Sequence, residues 1–594
     1  MILRPFVFLG LLLAAVRLGA WELPSGWEAR APTAAQISTV LEAAESEGWA
    51  TVALALRGGA LRAYERGQAD AAGSWLGLAR WAAVFAEPEQ AFVPRWVAAI
   101  NAAKVGHPNM ARSYLPRDRP LGTNVSRPLM QWLFGDQVFT DKFFALLSPC
   151  DYLPTVLATL DKIFTADPKK FSTYAQLALA IAVVYDVPPP PGWPHAQVST
   201  AALPRRLPAP EEAFAFFTQA DAAGHTLHSL AKLDADTLKF VVDVAAPFAE
   251  LAWAQQMITQ PLSRLDRTYT IINYRADRMK SNQTNWPGAT YDLPHILGDG
   301  GICVDQAYFA TEAGKARGVP TIFFRGEGND GRHAWFGFLD ERQRWQLDAG
   351  RYEQDNLVTG VAHDPQTWGN LSDHELAFLA EGFHTTKSFA ASRLHEDFAA
   401  TYLELKNYPA ATAAARKAVT YERRNVSAWE TLLAAQTGTG ADTRTREDIL
   451  REAAAGLDRY PDLGTQFRRR VADSLRARGQ ISAADEEERQ IARRNQRERS
   501  DLTVAQAALI LNRALAEKSP AEQLQIYAQL LRLYGHDGGT GFYDALTLPL
   551  VRQLLRDGRK PEARTALEQT RQTLAPETSS QLDQEMAKLA ATLK

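Results

Sequence analysis

Three side chains stand in an order that suits thiol chemistry. Cys303, one of only two cysteines, follows Gly300 and Gly301 and opens a helix-like stretch, "GGICVDQAYFATEAGKARGVPT". His333 begins the strand-like run "HAWFGFL", and Asp348 ends the next, "WQLD". A cysteine attacks as the thiolate, and a helix N-terminus favours that anion through its free N–H groups and partial positive charge. A neighbouring imidazole takes the proton and later gives it to the leaving group, while a carboxylate fixes the imidazole's tautomer. Such a set carries acyl transfer through a thioester. The two glycines permit a tight turn and close substrate approach. The arrangement predicts a Cys303 thiol pKa well below the free value of about 8.5. Cys150, next to Asp151, should instead be raised. In an exported protein a Cys150–Cys303 disulfide is the structural alternative.

These residues need elements to place them. "VPTIFFRGEG", "HAWFGFLD" and "RWQLDAGRY" read as three antiparallel strands, with "LDERQRW" as the hairpin connection between the last two. In such a hairpin His333 and Asp348 approach each other across the ladder, and a helix packed on the sheet presents Cys303 to His333. "RGEGNDGRH" lacks the Gly-Lys-Ser/Thr of a phosphate loop and reads as the loop that delivers His333. Asp305 and Gln306 either line the site or lie on the helix surface.

The combination Gly301-x-Cys303-x-x-x-Ala307, then Arg317-Gly318-Val319-Pro320, then His333-Ala334-Trp335, then Trp345-x-x-Asp348 resembles the transglutaminase-like superfamily. The resemblance covers about residues 285–355. It implies a papain-like core in which Cys303 is the nucleophile, His333 the base and acid, and Asp348 the orienting carboxylate. It also implies an oxyanion donor beyond the Cys303 N–H, from a side chain upstream. Trp286, by its indole N–H, and Gln283, by its amide, both qualify, and Trp286 is favoured. Gly301 and Trp335 fall at motif positions lining the site. After Asp348 the chain reads "DAGRY" where the family often continues with Pro and Thr. No metal and no cofactor are expected.

The rest of the chain is helical in texture. The fold class expected is α+β: a mostly helical multidomain chain around a small papain-like core, with a helical repeat array at the C-terminus. "MILRPFVFLGLLLAAVRLGA" reads as a signal peptide over residues 1–20, its apolar run being too short to span a membrane. A secreted or periplasmic protein without stable membrane insertion after cleavage follows. Residues 21–187 form an N-terminal helical domain, with Thr33 as a helix cap. Residues 188–210, rich in proline, form a linker or surface-crossing loop. Residues 211–370 hold the thiol core and the helices before it, and 371–594 the repeats. Ala399, Tyr402, Ala411, Ala418 and Trp429 match the packing positions of a tetratricopeptide repeat, whose stacked helix pairs create concave surfaces for a protein partner.

The net charge of −3 gives no sign of nucleic-acid binding. The expected function is an exported acyltransferase or amide hydrolase acting on a protein or peptide. The alternatives are a cysteine peptidase of similar fold and a non-catalytic helical-repeat scaffold for protein interactions.

Overall fold

The computed structural model describes residues 21–103, 114–351, 359–496 and 498–593, so the signal segment lies outside the described residues. Helices dominate. The first α-helix begins where the sequence places it: Thr33 caps Ala34–Glu47 with its hydroxyl on the Gln36 N–H, and the Gln36 side chain answers on the Thr33 N–H. Among the described residues no helix is long and apolar enough to cross a membrane.

One antiparallel sheet holds five strands: β1 (Thr321–Glu327), β2 (Arg332–Leu339), β3 (Trp345–Ala349), β4 (Val361–His363) and β5 (Asn370–Ser372). Their order is β3-β2-β1-β4-β5. The first three are those the alternation in the sequence predicts. The last two, each three residues long, are too short for periodicity to announce. Between β2 and β3 the register shifts by one residue: Phe338 pairs with Gln346 but Phe336 with Ala349. Leu347 and Asp348 therefore oppose the single residue Gly337, a β-bulge.

The helix Cys303–Ala316 packs on β1 and β2 and is buried on every side from Val304 to Ala316. Its charged residues are matched by partners from earlier in the chain. Glu312 accepts the N–H groups of Ala245 and Ala246, and Lys315 pairs with Asp243 at 2.7 Å. Gly314 lets the helix approach the sheet, since a Cβ there would lie 2.5 Å from the Thr321 side chain.

The proline-rich segment 188–210 contains no helix before Pro210, as its composition requires, but it is packed. Trp193, His195 and Leu203 are buried, and Arg205 folds back onto the carbonyls of His195, Val198 and Leu203. It runs against the loop before the Cys303 helix, where Trp286 N–H donates to the Gln197 carbonyl. One hydrophobic core extends without a break from Leu23 to Ala484, and a second gathers Ala492 to Leu593.

Beyond the sheet, successive helices pack on one another. Ala399, Tyr402, Ala411, Ala418 and Trp429 are all buried where Lys387–Glu404, Tyr408–Tyr421 and Val426–Gly438 meet. The first of these helices also docks on the N-terminal helices. Tyr64 stacks on Phe398 at 4.0 Å, and Arg80 pairs with Asp397 at 2.6 Å. Because Ala411 has no exposed surface, Ala411→Trp should overpack the helix pair and destabilise the protein by about 1–3 kcal/mol. Urea denaturation checks this; a midpoint equal to the parent's contradicts the packing described.

Candidate thiol site

The start of the Cys303 helix is fixed by Asp305. Its carboxylate accepts the Ile302 N–H at 2.9 Å, satisfying a donor at the helix start, and pairs with Arg278 at 2.7 Å. The Tyr291 hydroxyl donates to its other oxygen at 3.2 Å. Arg278 and Asp305 are each only 1% exposed. Arg278 spends its remaining donors on the carbonyls of Gln283, Thr284 and Asn285. Asp305 thus neither lines a cleft nor faces solvent: it ties the upstream loop to the nucleophile's helix. Gln306 is buried as well, donating to the Ile272 carbonyl.

Gly301 serves the same lock. A Cβ there would stand 2.4 Å from the Asp305 side chain, and its backbone bonds Asn273 and Arg275. The glycine makes room for Asp305 rather than for a substrate.

Cys303 is half-buried, and the backbone N–H of Ala334 on β2 points at its sulfur. The Ala334 carbonyl takes the Tyr269 hydroxyl at 2.8 Å. With β3 ended at Ala349, both polar groups of Ala334 are met by the helix start and Tyr269. His333 is the preceding residue, so the thiol sits one peptide away from the histidine. The His333 ring lies on Trp335, with centroids 5.9 Å apart and planes 18° from parallel. Trp335 is fully buried and anchored by its indole N–H on the Leu347 carbonyl.

The third member of the set is not where the motif puts it. Asp348 leaves 73% of its side chain exposed and pairs with Arg351 at 2.9 Å. The ladder explains this. Opposite Asp348 stands Gly337, four residues from His333, or about 13 Å at 3.3 Å per strand residue. His333 Nε2 instead lies 2.7 Å from the Gly350 carbonyl. A carbonyl only accepts, so Nε2 carries a proton and donates to it. Gly350 has φ +88°, and a Cβ on it would strike the Tyr269 ring at 2.6 Å. Only glycine turns the chain there and presents that carbonyl.

The upstream donors are also engaged differently. The Trp286 indole N–H donates to the Thr290 carbonyl at 2.8 Å, within its own loop, and is not free for an oxyanion. Gln283 is exposed, and its backbone is bound to Arg278. The N–H groups of Cys303 and Val304 have no carbonyl within the helix and remain as the donors at this position.

Burial pushes the Cys303 thiol up to about 11, with the Asp305 carboxylate adding to it; the N–H groups of Ala334, Val304 and Cys303 pull the other way and lose. The helix start alone does not make a thiolate, contrary to the sequence expectation. Cys150 is raised to about 11 as well, by burial and then by Asp151, as expected. Both cysteines are free thiols, and no disulfide joins them. A cleft of about 1040 Å³ opens elsewhere, lined by Arg80, Phe240, Trp345 and Asp397 among others; Cys303, His333 and Gly350 do not line it.

Removing one member of a buried ion pair leaves a charge without its partner. Arg278→Met should therefore destabilise the protein by about 3–5 kcal/mol, and adding Asp305→Leu should recover part of that loss. Urea denaturation of the two variants checks this; a single variant as stable as the parent contradicts the lock. The chain matches no family model, and no curated protein matches its sequence.

Proposed function

We propose that the chain is an exported, transglutaminase-like thiol enzyme that transfers or hydrolyses the acyl group of a carboxamide on a protein or peptide. The observation that carries this reading is the meeting of three groups where β3 leaves β2. These are the Cys303 thiol under the Ala334 N–H, His333 one residue away, and the Gly350 carbonyl on His333 Nε2.

In this reading Cys303 rests as the thiol. As Cys303 Sγ attacks the carboxamide carbon, its proton passes to the imidazole of His333. The oxyanion forms against the N–H groups of Cys303 and Val304. The amine or ammonia leaves with the proton from His333, and a thioester remains. Water or an amine then attacks the thioester, giving its proton to His333 as Cys303 is released. The Gly350 carbonyl orients the ring and stabilises the imidazolium through its dipole, a part that Asp348 plays in the motif. A peptidase follows from the same steps when the carbonyl belongs to a peptide bond.

A second reading, a non-catalytic peptide-binding scaffold, is favoured by the raised thiol and the exposed Asp348. The two separate on one experiment. The mature protein is incubated with a peptide library, with and without an amine donor, and mass spectrometry reports cleavage, deamidation or conjugation. The enzyme reading expects products that vanish in Cys303→Ala. Peptides bound but unchanged in both proteins would establish the scaffold.

Two further outcomes follow. Asp348→Asn should keep turnover within about tenfold of the parent, where the corresponding change in a serine triad costs about 10⁴. A loss near 10⁴ contradicts the assignment to Gly350. The second outcome concerns pH. Thiolate is the reactive form, and with the pKa near 11 its fraction grows about tenfold per pH unit through neutrality. In His333→Ala, labelling of Cys303 by iodoacetamide should rise in that way up to about pH 11. The parent should react faster near pH 7–8 because His333 takes the proton. A parent that is no faster than His333→Ala contradicts base catalysis.

A further inference from the structure

The turn between β1 and β2 is held by residues more than two hundred positions away. Gly328 N–H closes the turn on the Gly331 carbonyl. From the last helices, Thr540 N–H donates to the Gly328 carbonyl at 3.0 Å, and Leu582 N–H to the Asp330 carbonyl at 3.0 Å. Glu577 N–H reaches the Asp330 carboxylate at 2.9 Å, and the Arg332 N–H donates to the Gln581 amide oxygen at 3.0 Å. The Arg332 guanidinium forks onto Asp544, with its shortest contact at 2.6 Å, and bonds Glu585 at 2.8 Å. A guanidinium held by two carboxylates in this way has a fixed plane, which a single surface pair would not give it.

The helix that brings Thr540 to the turn is deformed where it touches it. Pro520–Phe542 contains Gly539 at φ 47°, ψ −135°, outside helical geometry, and Tyr543–Thr547 follows as a π-helical stretch. A Cβ on Gly539 would lie 2.7 Å from the Asn329 Cα. The helix is broken so that its backbone can reach the turn, and local distortion of that kind collects at places where position matters.

We propose that the C-terminal helices clamp the β1–β2 turn and that Arg332 is a positioning residue for His333. The inference rests on the thiol-enzyme reading above. Arg332 pairs with Glu327 and His333 with Gly326 at the open end of the ladder. The peptide between Arg332 and His333 is held on the far side by Tyr269 and Cys303, which take the carbonyl and N–H of Ala334. On the near side the β1 ladder and the clamp hold it. The array is thus anchored at both ends, on the N-terminal helices through Phe398 and Asp397 and on the catalytic hairpin through Asp544 and Glu585.

The test labels Cys303 of the full-length protein with iodoacetamide between pH 6 and 9. It compares the parent, His333→Ala, Arg332→Ala, Arg332→Lys and the double variant Asp544→Asn with Glu585→Gln. The double variant changes no residue of the hairpin and keeps side-chain size, so it serves where Arg332→Ala fails to fold. The expected result is a loss of His333-assisted labelling of up to about 100-fold in Arg332→Ala and in the double variant, the scale of an ångström misplacement. The pH midpoint should shift, and Arg332→Lys should recover part of the rate. If the parent exceeds His333→Ala while Arg332→Ala and the double variant keep its rate and pH profile, the clamp is overturned alone. If the parent does not exceed His333→Ala, the thiol-enzyme reading falls and takes the clamp with it.

Discussion

The Arg278–Asp305 ion pair is the constraint on which the site depends. Two charges with 1% exposure have left water, and only their mutual bond and the surrounding hydrogen bonds offset that loss. Asp305 joins the Ile302 N–H, the Tyr291 hydroxyl and Arg278; Arg278 joins three consecutive carbonyls of the loop before the helix. His195, from the proline-rich segment, then bonds Tyr291 at 2.9 Å. The position of the thiol is therefore set by a polar network that reaches from residue 195 to residue 305. The same network withholds the thiolate, since burial and the Asp305 charge outweigh the helix start.

His333 is fixed by a different means. Its ring rests on Trp335, and its Nε2 proton is held by a backbone carbonyl that only a glycine at φ +88° can present. Arg351 links the two halves of this arrangement. It lies 5.2 Å above the Trp335 ring and pairs with both Asp348 and Asp373. Asp348 thereby sits two contacts from the histidine's platform, while the contact with the imidazole belongs to Gly350. A carbonyl orients the ring without placing a full negative charge beside it.

Much of this is legible in the sequence. The strands holding His333 and Asp348 alternate clearly, Cys303 stands at a helix start, and the small residues Ala399, Ala411 and Ala418 are buried where their spacing places them. Each depends on local periodicity or on turn chemistry. Asp348 is misplaced because its facing is decided by a bulge opposite Gly337, and a one-residue slip in register leaves no mark in the alternation. Trp286 and Asp305 fail for another reason. Which acceptor an indole finds, and whether a carboxylate near a helix start meets a buried arginine, are tertiary facts. A capping residue at the third helix position was the available signal for Asp305. The sign of the Cys303 shift was beyond reach because it balances a dipole visible in the sequence against burial that is not.

The most direct measurement is the protonation state of the His333 ring in the resting protein. Histidine labelled with ¹⁵N, with the His333 signals assigned through His333→Ala, reports both ring nitrogens separately. The Gly350 contact and the raised thiol predict a proton on Nε2 at pH 7, beside a protonated Cys303. An imidazolium protonated on both nitrogens and paired with a Cys303 thiolate would contradict this.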